Sequence, residues 1–67
     1  MVCRLKDFMD RKSLNISQLA REVDISISAV RSYANNTFSR IDCENAIKLC
    51  SYFGVEMGEM FVIEEGN

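Results

Sequence analysis

Few residues of this chain are equipped for chemistry, and those that are do not assemble into catalytic sets. Three cysteines and no histidine exclude the usual zinc ligand sets, and a cysteine nucleophile would lack its imidazole base. There is no Gly-rich phosphate loop, and the acidic residues are scattered. The chain therefore reads as a non-enzyme with no cofactor and no evident small-molecule ligand. What remains is Ile27, Ser28, Arg31 and Ser32, which fall on one side of a helix. That face is short, polar and cationic. A guanidinium can read guanine through two hydrogen bonds, a serine hydroxyl can bond a base or a phosphate, and isoleucine can pack on a thymine methyl. Such a face suits a DNA groove.

The flanking residues say how that face would be held. Asn15 can cap a helix N-terminus, with Gln18 in the capping-box position and Leu14 and Leu19 as a hydrophobic staple. Ser26 repeats the signal with Ile25 and Val30 as the apolar pair. These two start signals leave room for one short helix between them. Asp24 falls where that helix must end, and Asp tolerates a left-handed backbone. Leu19, Ala20 and Val23 form one apolar stripe, Val30, Tyr33 and Ala34 a second, and the small Ala20 permits close helix approach.

This run resembles the helix-turn-helix of the lambda-repressor/Cro type, the XRE family. The matching residues are the small Ala20, the turn residue Asp24, the apolar Val30 and the aromatic Tyr33 at the family's spacing. The resemblance extends roughly from Leu5 to Phe61. The family usually has Gly where Asp24 stands, and often Gln where Ile16 stands; Ser17 or Gln18 then takes over that phosphate contact. The resemblance implies an all-α, five-helix lambda-repressor-like domain, residues 1–67, with its helix-turn-helix at about 16–34. The helix from Ile27 would enter the major groove, reading bases with Ile27, Ser28, Arg31 and Ser32. Ser17, Gln18, Asn35, Asn36, Thr37 and Arg40 would meet phosphates.

Elsewhere, Leu5, Phe8 and Met9 predict a first helix ending near Lys12, whose basic end suits the helix dipole. Asn35 to Arg40 reads as a polar loop, with Phe38 as a peg beneath it. Asp42 caps a further helix whose inward stripe is expected to be Ala46, Ile47, Cys50 and Phe53, ending at Gly54. Met57 and Met60 are expected in the core. Cys3, Cys43 and Cys50 read as small buried hydrophobes in a reducing compartment. Phe61 to Glu65 has strand character and needs a partner, either Val2 to Arg4 of the same chain or a second copy.

With 67 residues, 48% of them hydrophobic, and no Pro, an ordered domain near the lower size limit is expected. No apolar run is long enough to span a membrane and no signal peptide is apparent, so a cytoplasmic protein is expected, and the resemblance implies a bacterial or phage origin. The net charge of −2 is unevenly spread. Residues 1–41 carry seven cations against four anions, and residues 42–67 one cation against six. Together these features predict a small transcriptional regulator binding double-stranded DNA sequence-specifically, as a homodimer on a palindromic operator. The alternative is a protein-interaction module on the same fold, such as an antirepressor, an antitoxin-like protein or an adaptor. Overall acidity and the apolar Ile27 favour that alternative.

Overall fold

Helix ends in this chain are set by residues that satisfy the backbone groups a helix leaves unpaired. The computed structural model describes residues 1–63. The chain runs β1 (Val2–Cys3), α1 (Leu5–Arg11), α2 (Ile16–Val23), α3 (Ile27–Asn35), α4 (Cys43–Phe53), α5 (Met57–Met60) and β2 (Phe61–Val62). Before α2, the Asn15 side chain accepts from the Gln18 N–H at 2.8 Å, and the Asn15 N–H donates to the Gln18 side chain at 3.0 Å. Before α3, Ser26 Oγ accepts from the Ala29 N–H at 3.2 Å. Before α4, Asp42 accepts from the N–H groups of Glu44 and Asn45. These caps are the expected ones.

The C-termini share a device that the sequence showed only in part. Ser13, Asp24, Asn36 and Gly54 adopt left-handed backbone after α1, α2, α3 and α4, with φ between 55° and 66°. The next N–H then donates five residues back: Leu14 to Met9, Ile25 to Ala20, Thr37 to Ser32 and Val55 to Cys50, at 2.9–3.1 Å. This is the Schellman closure, and only at α4 does the usual glycine supply it. Asp24 was expected in this conformation. Ser13 carries no such signal in the sequence, because serine has no marked preference for the left-handed region.

The helices bury one continuous core, in which Leu5, Leu19, Val30, Leu49 and Met60 are fully covered. Three expectations are corrected here. Ile47 is 62% exposed, and Leu49 holds the inward position of α4 with Ala46 and Cys50. Ile47 lies about 100° around the helix from Ala46, which turns it off the buried row. Met57 is 47% exposed in the first turn of α5, although its Sδ touches the Cys50 thiol at 3.7 Å. Cys43 is exposed at the N-terminus of α4, while Cys3 and Cys50 are buried; all three are free thiols.

The terminal segments pair with each other, antiparallel, with Val2 opposite Val62 and Cys3 opposite Phe61. The Arg4 N–H extends the ladder to the Met60 carbonyl at 2.8 Å. Of the two expected partners, the strand of the same chain is the one used. Ile63 lies beyond β2, and the strand character read at Glu64 and Glu65 lies outside the described residues. Among the described residues, no helix is long and apolar enough to cross a membrane.

Candidate nucleic-acid interface

The expected reading face lies on α3, whose other side is locked into the core. Val30, Tyr33 and Ala34 are buried on one side. Tyr33 does more than fill space. Its hydroxyl accepts from the Asp42 N–H and from Asn45 Nδ2, both at 3.4 Å, and its ring meets Phe38 and Phe61 edge-on. Phe38 is therefore the expected peg, packed among aromatics. The polar partners of Tyr33 were not read from the sequence. The available signal was that a buried tyrosine hydroxyl needs a partner.

On the outward side, Ile27, Ser28 and Arg31 are exposed. Among the described residues the one ion pair joins Lys48 to Glu44, so no carboxylate neutralises Arg31 or Arg40. Ser32 is half-buried, and its Oγ donates to the Ala29 carbonyl at 3.0 Å. It sits at the margin of the face, with lone pairs left to accept.

The turn leading into α3 is held from outside the pair. Asp24 presents its carbonyl to Lys48 Nζ at 3.2 Å, so α4 braces the bend between α2 and α3. Asp24 thus fits a position where glycine would be freer, because its role there is carried by the backbone.

Both groups of expected phosphate contacts lie at helix ends. Ser17 and Gln18 are exposed in the first turn of α2, with the Gln18 carboxamide oxygen used by the cap. Asn35, Thr37 and Arg40 are exposed at and after the end of α3. Asn36 has a different task. Its carboxamide binds both backbone groups of Cys3, accepting from the N–H at 2.7 Å and donating to the carbonyl at 3.1 Å. That bond within the protein uses one donor and one acceptor of the carboxamide, and Asn36 itself is exposed. The partner is 33 residues away in sequence, where no local signal could point to it.

A shallow apolar cleft lies beside this surface, lined by Lys6, Met9, Leu14, Ile16, Ala34 and Asn35 among others. It brings the start of α2 and the end of α3 to a common edge. Helices α2 and α3 each bury one side in the core, and α3 turns Ser28 and Arg31 outward. The family model described as "Cro/C1-type HTH DNA-binding domain" matches residues 4–66. No curated protein matches the chain.

Proposed function

The chain belongs to the Cro/C1-type helix-turn-helix DNA-binding domain family, and from that membership we propose that it is a cytoplasmic transcriptional regulator that reads duplex DNA sequence-specifically. In this reading α3 enters the major groove N-terminus first. Arg31 donates two hydrogen bonds to a guanine, Ser28 bonds a base edge or a neighbouring phosphate, Ile27 covers a thymine methyl, and Ser32 contributes from the margin. Ser17, Gln18, Asn35, Thr37 and Arg40 hold the frame through phosphates.

The observation that carries this reading is the exposed Arg31, in no ion pair among the described residues, between Ile27 and Ser28 on a helix whose opposite side is buried. A side chain with five donors and no ion-pair partner among the described residues is placed to recognise an acceptor elsewhere. One such helix covers few base pairs, so useful selectivity comes from two copies on a two-fold site with half-sites about one helical turn apart.

Selection of bound sequences from a random duplex pool tests the proposal directly. Enrichment of a palindromic site, bound with affinity that falls steeply with salt, is the expected outcome. A protein that enriches no sequence and binds no duplex at low salt ends the reading. Sedimentation of a monomer on the enriched site removes the two-copy part alone.

A further inference from the structure

The outer edge of β1 is closed by a side chain where a third strand would otherwise lie. Cys3 pairs with Phe61, and the Arg4 N–H donates to Met60. The alternation of an antiparallel ladder therefore turns the Cys3 N–H and carbonyl away from β2. Both are taken up by the Asn36 carboxamide, at 2.7 and 3.1 Å. An amide used this way reproduces the donor and acceptor of a strand residue. Asn36 also ends α3, in left-handed conformation, with its own N–H held by the Ser32 and Tyr33 carbonyls. One residue thus joins the end of α3 to the sheet made from the two terminal segments.

We propose that Asn36 is a positioning residue for duplex binding: seated on β1 as a surrogate strand, its carboxamide holds the end of α3 and the loop to Arg40 in the geometry that meets the duplex. This rests on the DNA-binding reading given above. The position needs three properties together: tolerance of a left-handed backbone, a donor and an acceptor. Asparagine has all three. Aspartate keeps the acceptor but faces the Cys3 carbonyl with an anion. Glycine keeps the backbone and loses the amide.

Asn36→Gly separates these roles, because glycine favours the left-handed conformation and leaves the helix end intact. In the free protein, the Cys3 amide should exchange with solvent at least about tenfold faster, while the Val62 amide in the ladder stays protected. Duplex affinity, measured where the variant is fully folded, should fall about fivefold with base preference unchanged. Cys3→Pro removes the N–H half of the pair and leaves the Cys3 carbonyl and Asn36 in place. The Cys3 N–H faces away from β2, so proline there costs no ladder bond. That variant should weaken binding by less than Asn36→Gly does, and the two combined should lose no more than Asn36→Gly alone. Wild-type affinity in Asn36→Gly, or an unchanged Cys3 exchange rate, overturns the proposal. So does an additive loss in the double variant, which would make Asn36 a direct phosphate contact. A wild-type protein that binds no duplex defeats the functional reading instead, and the exchange rates still report on the bond to β1.

Discussion

Arg31 and Asp24 lie close in sequence, on either side of the start of α3, and they use charge in opposite ways. Arg31 offers to solvent a guanidinium that no carboxylate among the described residues pairs. Arg31→Ala should lower duplex affinity by about 1–3 kcal/mol and flatten the preference at one base pair in a pool selection. Arg31→Lys should not restore it, because an ammonium cannot make the paired hydrogen bonds of the planar fork. Asp24 is instead a conformational compromise. Its φ is 56°, its carboxylate stands at the C-terminus of α2 where the helix dipole disfavours an anion, and its contact with Lys48 uses only the backbone carbonyl. Asp24→Gly should raise stability by roughly 0.5–1 kcal/mol, read as a higher urea midpoint with an unchanged slope. Both residues could be singled out from the sequence because helical spacing and turn chemistry are local. The role of Asn36 could not, since its partner is set by the pairing of the two ends of the chain.

Among the elements, the capped starts of α2, α3 and α4 were legible for the same local reason, and the buried face of α4 was not. The segment from Cys43 to Phe53 carries two overlapping apolar rows, one through Ala46, Leu49, Cys50 and Phe53 and one through Cys43, Ile47 and Cys50. Periodicity alone cannot choose between rows that share Cys50; only the placement of α2 and α5 against the helix does. A pair of truncations reads the outcome. Leu49→Ala, at a side chain with no exposure, should cost about 2–5 kcal/mol by opening a cavity beneath α4. Ile47→Ala should stay within about 0.5 kcal/mol of wild type, since little contact is lost and alanine favours the helix. Equal costs in urea unfolding would return Ile47 to the core. The same contrast applies to the thiols. Cys43 should react with a disulfide reagent in the native protein, whereas Cys3 and Cys50 should wait for unfolding.

At the scale of the whole molecule, burial pushes both the Cys3 and the Cys50 thiol pKa above the ordinary 9.0, with Glu59 adding to the effect at Cys50 and a backbone hydrogen bond from Leu5 opposing it at Cys3. The unfolded chain therefore loses these protons first as pH rises. Their contribution to stability is intact below pH 9 and is lost above it, so urea midpoints should fall on the alkaline side. The slope should be shallower in a variant with both thiols replaced by alanine. The division of charge has a separate consequence, for binding. Cations exceed anions in residues 1–41 and anions exceed cations in residues 42–67, so a duplex should meet only a few of the molecule's cations. Each phosphate neutralised contributes about −0.9 to the slope of log affinity against log salt. Arg40, exposed in the loop after α3, should be one such cation. Arg11 should not, because it stacks 5.1 Å above the Phe8 ring and lines a cleft with Gly58 and Glu59 on the α5 side. Arg40→Gln should therefore make the slope shallower by about one for each protomer bound, about two on a two-fold site, and Arg11→Gln should leave it unchanged. If the two substitutions shifted the slope equally, the duplex would be sensing the overall charge of the molecule and not the surface built around α3.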